Sequence, residues 1–306
     1  MMKKKIIFIV GPTAVGKTEV AAKLAAKINA EIISCDSMQI YKGMDILTSK
    51  PQAALMKKIP HHLIGLITPK EEYNVSQYRK AALAEIKNIF NKGKIPLFVG
   101  GTGLYMTILL DGIFKMRPPK KSIRIKLLKQ AAQKGSEFLY NRLKKVDPEA
   151  AAKIHPHDAR RIVRALEVFI ATGKPISYLQ KQRKGLWSEF DVKIFCLNLA
   201  REKLKQRIDG RVDAMFRQGA VREVKKLAKL KLSKTACFAI GIKEIKGYLD
   251  GEYDLAEAKE LMQRNTRAYA KRQLTWFRKD KRIKWVEINE KQNVKGVVNK
   301  LWNALS

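Results

Sequence analysis

The chain has 306 residues, 46% of them hydrophobic, which suits one large domain carrying a lobe, or two domains. No apolar run approaches the ~20 residues of a membrane-spanning helix, so no membrane partner is expected. A balance of 63 basic against 28 acidic residues, net +35, exceeds what a small phosphorylated metabolite needs and fits a polyanion such as nucleic acid. A generally Lys-rich proteome would leave the same excess, and the placement of the arginines counts against it.

The first element is the apolar run Ile6-Ile7-Phe8-Ile9-Val10, which after Lys3-Lys4-Lys5 is too short for a signal-peptide core. It leads into Gly11-Pro12-Thr13-Ala14-Val15-Gly16-Lys17-Thr18 and then a helical pattern with Ala21, Ala22, Leu24 and Ala25 on one face. Strand, G-x-x-x-x-G-K-T and helix in that order are what a phosphate-binding P-loop requires. Its glycines permit a tight turn, its amides and helix N-terminus point at an anion, Lys17 adds charge, and Thr18 offers a hydroxyl to Mg2+.

A second strand, Glu31–Ser34, ends in Cys35-Asp36-Ser37. A helix is expected over Val75–Lys92, then a strand Ile95–Val99 running into Gly100-Gly101-Thr102-Gly103. Strands alternating with helices imply an α/β fold with a parallel sheet, whose C-terminal edge holds ligands. Three strands thus deliver the P-loop, Asp36 and Thr102 to one edge. Asp36 reads as a helix cap, a magnesium ligand or a site carboxylate. The third strand lacks the aspartate of a Walker B motif, which weakens an ATPase.

At Arg117-Pro118-Pro119-Lys120 the pattern breaks, and 122–180 reads as nearly all helix, punctuated at Gly135, Asp147-Pro148, His155-Pro156 and Gly173-Lys174-Pro175. The expected organisation is a P-loop core (1–116), an inserted helical lobe (117–190), and the rest of the core with a basic C-terminal helix (191–306). In the third part a strand, Asp191–Leu197, precedes helices over Glu202–Gln218, Val221–Leu230, Ile242–Leu249 and Leu255–Lys279, with a last strand at Ile283–Ile288. Arg160, Arg161 and Arg164 flank an apolar face of Ile162, Val163, Leu166, Phe169 and Ile170, with Glu167 in reach of Arg164. Arg264, Arg267, Lys271 and Arg278 make a basic stripe suited to phosphate contact. Met262, Tyr269 and Trp276 recur every seven residues and read as a buried stripe. Arg207 and Arg211, one turn apart, either reach back to a diphosphate or pair with Asp209 or Asp213.

Cys35, Cys196 and Cys237 are scattered, which suggests a reducing compartment and no zinc site. The pairs His61-His62 and His155/His157 lack further ligands at metal spacing and read as loop or cap residues.

These stretches together resemble the tRNA dimethylallyltransferase (tRNA isopentenyltransferase) family along nearly the whole chain. The P-loop is similar to its first motif, Asp36 to Asp45 to its second, with Thr48-Ser49-Lys50-Pro51 and Pro60-His61-His62 following, and Val99 to Tyr105 to its third. Asp158 to Glu167 resembles its lobe motif and Lys271 to Arg278 its closing one. The resemblance implies transfer of a dimethylallyl group from its diphosphate to N6 of the adenosine 3′ to the anticodon, the base being flipped into a channel. It implies Asp36 as general base, Thr102 as a hydroxyl in the catalytic site, and Arg211 with residues Gly11 to Thr18 on the diphosphate. Implied tRNA contacts are Asp36, Ser37, Met38, Gln39, Thr102, Arg124, Arg160, Arg161, Ile162, Val163, Arg164, Lys271, Arg272, Gln273 and Arg278. Mg2+ on Thr18, a tRNA anticodon stem-loop as partner, a monomeric state and a cytoplasmic location complete the expectation. Cys35, Leu47, Phe238 and Ile242 depart from the family pattern, and no Cys/His cluster follows Cys237. The competing classes are an enzyme prenylating free adenine nucleotides, which would have no use for the arginine stripes, a P-loop kinase or ATPase, and an RNA-binding switch.

Overall fold

The computed structural model describes residues 3–114, 116–117, 119–289 and 293–305; Pro118 of the expected break lies outside them. Contacts divide the chain into two compact units, Met1–Leu109 with Glu189–Ser306, and Leu110–Ser188. The inserted unit is therefore bounded at 110 and 188, where the sequence pattern suggested 117 and 190.

The first unit is built on a parallel sheet of β1 (Lys5–Val10), β2 (Ala30–Ser34), β3 (His61–His62), β4 (Ile95–Gly100), β5 (Asp191–Asn198) and β6 (Lys284–Glu287), in the order β3-β2-β4-β1-β5-β6. Residues 6–10 of β1 are at most 1% exposed, as expected of a parallel strand covered on both faces, whose sequence is then a continuous apolar run. Register aligns the strand ends: Val10 lies opposite Gly100, and Ser34 opposite Val99. The turns leaving β1, β2 and β4 consequently emerge at one edge.

In chain order the helices are α1 (Lys17–Lys27), α2 (Ala53–Lys58), α3 (Val75–Asn91), α4 (Gly103–Asp111), α5 (Lys121–Lys134), α6 (Ser136–Val146), α7 (Pro148–Ala151), α8 (Ala159–Thr172), α9 (Ile176–Lys181), α10 (Leu186–Glu189), α11 (Arg201–Gln218), α12 (Ala220–Leu227), α13 (Ile242–Leu249), α14 (Leu255–Phe277) and α15 (Val294–Asn303). Local chemistry sets several boundaries. Asn74 and Gln77 form a reciprocal capping box at α3, and Asp158 accepts the Arg161 N–H at α8, which ends at left-handed Gly173. Leu24 of α1 and Leu301 of α15 belong to one core cluster with Ile7, Ile9 and Leu197 of the sheet. No helix among the described residues is long and apolar enough to cross a membrane.

The sequence pattern misses β3 and α15. His62, expected in a loop or cap role, bridges Glu31 at 2.8 Å and Glu85 at 2.9 Å. Glu31 is buried and also meets Lys92 and Lys94 at 3.1 and 2.8 Å. Burial alone would raise this carboxyl, but hydrogen bonds from Lys94, His62 and Lys92 outweigh it and hold it at about 2.

The second unit has its own core, with Leu127 of α5, Leu139 and Leu143 of α6, and Ile162, Val163 and Leu166 of α8 all at most 2% exposed. Tyr140 donates to the Ala151 carbonyl at 3.1 Å, and Asp147 caps α7 while accepting the Ser177 N–H at 3.0 Å. These bonds join α6, α7 and α9 into one packed body.

Candidate active site

The ends of β2 and β4 are tied together by backbone contacts that leave no room for a side chain at Gly100. The Cys35 N–H donates to Val99 O at 2.8 Å, and the Thr102 N–H to Cys35 O at 3.1 Å. A Cβ on Gly100 would stand 2.1 Å from Cys35 O, so this approach demands glycine. Thr102 Oγ1 accepts the Ser37 N–H at 3.0 Å and lies 3.3 Å from Ser37 Oγ. Asp36 Oδ1 accepts the Met38 N–H at 2.9 Å, a turn that fixes the carboxylate at the sheet edge.

Beyond Asp36 the chain curls back and is held by polar side chains. Ser34 Oγ donates to Gln39 Oε1 at 2.9 Å, and Gln39 Nε2 lies 3.3 and 3.4 Å from the carbonyls of Thr48 and Ser49. Glu223, on α12, accepts the N–H groups of Asp45 and Ile46 at 2.9 Å and of Leu47 at 3.0 Å. The cavity so formed is open to solvent on one side, measures about 1240 Å3 and is lined wholly by the first unit. Thr18, Asp36, Ser37, Met38 and Gln39 line it, as do Arg211 and Arg272.

On the P-loop side, Gly16 takes a left-handed φ of 98° where the turn enters α1. Lys17 Nζ donates to the carbonyls of Gly11 at 2.9 Å and Pro12 at 2.7 Å. Burial, and then the nearby Arg211, pull Lys17 down to about 8, against opposing contributions from Asp36 and Cys196. Arg211 Nε donates to Ser49 Oγ at 2.9 Å, and burial lowers its guanidinium also, partly offset by Asp36. The pairing left open for Arg211 is resolved: Asp209 pairs with Arg267, and Asp213 with Lys259 at 3.3 Å. Arg207 instead donates to the Val15 carbonyl at 3.4 Å. Two cations, Lys17 and Arg211, therefore stand half-buried beside a backbone loop shaped for an anion. That concentration of positive potential is complementary to an anion.

The far wall is α14, and here the expected buried stripe needs correction. Met262 is 1% exposed, but Tyr269 borders the cavity and Trp276 is 44% exposed. Met262, Thr266, Tyr269 and Gln273 follow helical spacing along the face that closes the cavity, so their repeat marks a lined site and not solid core. Burial, then the charge of Asp36, push the Tyr269 phenol up, so it stays protonated; a hydrogen bond with Thr102 opposes this. Trp276 packs on Gly103, where a Cβ would meet its ring at 2.2 Å, and Trp276 Nε1 is 3.3 Å from Thr107 Oγ1. Gln273 is 5% exposed and uses both ends of its amide internally: Oε1 accepts the Thr13 N–H at 2.8 Å, and Nε2 donates to Gly101 O at 2.9 Å. Both ends being engaged, it is not the open tRNA contact expected from the sequence.

A P-loop, a strand-end carboxylate and a hydroxyl around one cavity, with glycines where a Walker B carboxylate would stand, narrow the comparison. The IPP transferase family model matches residues 39–280, and an isopentenyl transferase model matches 4–64. The chain belongs to the IPP transferase family. A tRNA dimethylallyltransferase of Natranaerobius thermophilus is 47% identical to it over 94% of this chain and 87% of the relative. The crystal structure of a tRNA isopentenylpyrophosphate transferase from Bacillus halodurans is similar at TM-score 0.72 and 38% identity, covering 99% of this chain and 97% of that one. A eukaryotic dimethylallyltransferase described as acting on tRNA is similar at TM-score 0.81 and 34% identity, covering 98% and 78%.

The remaining residues expected to contact RNA divide by exposure. Arg160, Arg161, Lys271, Arg272 and Arg278 are exposed. Arg164 donates to Glu167 at 2.9 Å, and Arg124 lies 3.6 Å from the same carboxylate. Ile162 and Val163 are corrected: both side chains are fully buried in the core of the second unit and cannot touch RNA. Apolar periodicity already placed them on the inner face of α8. Of the departures from the family pattern, Leu47 is 8% exposed and borders the cavity, Phe238 is 67% exposed at its mouth, and Ile242 is buried at the start of α13. Ser49 and Glu223 carry no local sequence signal, because their partners lie 162 and about 177 residues away.

Proposed function

We propose that this chain transfers a dimethylallyl group from dimethylallyl diphosphate to N6 of the adenosine 3′-adjacent to the anticodon of tRNA, releasing pyrophosphate. The observation that carries the reading is the convergence of Lys17, Arg211 and Asp36 on one cavity, with Thr102 fastened to Ser37 in its wall. Such a site holds a diphosphate as leaving group and lacks the Walker B carboxylate of an ATP hydrolase.

The exocyclic amine of adenine is a poor nucleophile, its lone pair being delocalised into the ring. The site therefore has to stabilise the leaving group and remove a proton. The N6 lone pair forms a bond to C1 of the dimethylallyl group while the C1–O bond breaks, and pyrophosphate departs with that electron pair. Lys17, Arg211 and the loop amides from Ala14 to Thr18 receive the developing negative charge. Asp36 takes the N6 proton, and Thr102 orients the reacting amine. A base drawn from a stacked loop costs a few kcal/mol, offset by phosphate contacts of exposed arginines such as Arg160 and Arg161.

The donor set suits Mg2+. Thr18 supplies a hydroxyl beside the P-loop, and no group of three His, Cys, Asp or Glu among the described residues forms a cage. Mg2+ characteristically takes few protein ligands together with substrate phosphates. When bound there it would neutralise diphosphate charge. Action as a monomer is part of the proposal. A cytoplasmic location fits a tRNA substrate.

Incubation with dimethylallyl diphosphate and unmodified tRNA should add one dimethylallyl mass to a single adenosine adjacent to the anticodon. No mass gain across several tRNAs with folded protein would overturn the reading, and preferential modification of free AMP would reassign the acceptor.

A further inference from the structure

We infer that Gln273 is a positioning residue that locks the P-loop and the Gly101-Thr102 turn into one register, so that donor diphosphate and acceptor amine meet in fixed geometry. The inference rests on the prenyl-transfer reading above. Its geometry does not.

Gln273 is the polar member of the cavity face of α14 that joins two loops otherwise distant in the chain. Thr13 is 260 residues away and Gly101 is 172. The polarity of each partner assigns the amide: the Thr13 N–H only donates and Gly101 O only accepts, so Oε1 must face the former and Nε2 the latter. Few side chains serve both ends. Glutamate would set a second oxygen against Gly101 O, asparagine is one methylene short, and an apolar replacement leaves a buried N–H and a buried C=O unpaired.

Gly101 is fitted to the same side chain. A Cβ there would meet Gln273 Nε2 at 2.0 Å, so the absence of a side chain at 101 and the presence of the amide at 273 are one arrangement. The next residue is Thr102, whose N–H and Oγ1 tie it to Cys35 and Ser37. A single side chain thereby separates the loop that cradles diphosphate from the residue that orients the amine. The Thr13 amide, being taken, is not available to a phosphate; the amides from Ala14 onward are. Misplacement of about 1 Å between reacting groups is enough to cost on the order of 10²-fold in rate.

The test is Gln273→Met, measured by steady-state kinetics with tRNA and dimethylallyl diphosphate. The donor KM should rise at least fivefold and kcat fall at least tenfold. A merely structural role would lower the active fraction, and so kcat, without moving KM. Both constants within twofold of wild type would overturn the inference. Should that variant not fold, Gly101→Ala displaces the amide while keeping every Gln273 atom and should show the same pair of effects. Gly101→Ala/Gln273→Ala should be no worse than Gln273→Ala alone, whereas effects that multiply would show that the two residues act independently. Amide hydrogen exchange separates this idea from the function it rests on. Exchange at Thr102, whose N–H bonds to Cys35 and not to Gln273, should quicken in Gln273→Met, and unchanged protection would overturn the coupling whether or not the wild type prenylates RNA. Absence of transfer by the wild type would count against the proposed function alone.

Discussion

Thr102 Oγ1 accepts the backbone N–H of Ser37 at 3.0 Å, so the hydroxyl that ends β4 is fastened to the residue after Asp36, at the end of β2. Carboxylate and hydroxyl are thus held by one hydrogen bond between neighbouring strands, and the two roles proposed for them are geometrically linked. Asp36→Ala should leave tRNA affinity within about threefold while turnover falls on the order of 10²–10⁴-fold, the range for loss of a general base. Single-turnover transfer and filter binding on the same preparation separate these effects. Retained turnover would remove Asp36 as the base.

Ser49→Ala tests how Arg211 is aimed. The mutation leaves a half-buried guanidinium Nε without its partner at 2.9 Å, a loss of ~1 kcal/mol. The donor KM and the inhibition constant of pyrophosphate should rise together by about fivefold, with tRNA affinity unchanged. A rise in KM without the matching change for pyrophosphate would place Ser49 on the prenyl part of the donor.

The sites legible in the sequence are those in which a strand runs straight into its functional turn. Gly11 to Thr18, Asp36 and Gly100-Gly101-Thr102 each carry the pattern within a few residues, and a parallel sheet then brings them to one edge without further information. The roles of Gln273, Ser49 and Glu223 in holding the site were not legible, although Gln273 and Ser49 lie in quoted motifs, because what they do depends on partners about 160 to 260 residues distant. The seven-residue repeat of Met262, Tyr269 and Trp276 identified one face of α14 but not what it faces. Adding Thr266 and Gln273 to that stripe would have shown it to be part polar, the sign of a helix that borders a cavity. Conversely, Ile162 and Val163 lay within a motif associated with RNA, yet their apolar spacing already marked them as core.

That contrast between motif and burial can be measured. Arg160→Ala and Arg161→Ala should each weaken tRNA binding and reduce the slope of log affinity against log salt by ~1. Ile162→Ala should instead leave that slope alone and lower unfolding free energy by about 2–5 kcal/mol, as for a cavity made in a packed core. Salt titration of binding and urea unfolding of the three variants distinguish the two kinds of residue.

Glu31 governs the response of the core to acid. Its carboxyl is held at about 2 against an ordinary 4.5, so the unfolded chain takes up this proton first as pH falls. The stabilisation is complete above about 4.5 and is lost as pH drops toward 2. Glu31→Gln should therefore cost a few kcal/mol at neutral pH, where it leaves His62, Lys92 and Lys94 without their shared carboxylate, and progressively less in acid. Urea midpoints for wild type and variant should converge as pH falls through that window. A constant gap would mean that Glu31 contributes through packing.

Glu223→Gln examines the outer support of the site. The carboxylate receives three consecutive N–H groups, those of Asp45, Ile46 and Leu47, in charge-assisted bonds at 2.9 to 3.0 Å. An amide keeps one acceptor oxygen but turns an NH2 group toward amides that can only donate. The expected loss is ~1–3 kcal/mol of stability. The effect should extend to catalysis, because the same loop continues to Thr48 and Ser49, whose carbonyls hold Gln39 and whose hydroxyl at Ser49 holds Arg211. Donor KM should rise in Glu223→Gln, and in Glu223→Gln/Ser49→Ala it should rise less than the product of the single effects, since both act on one guanidinium. Full multiplication would separate the loop anchor from the diphosphate site.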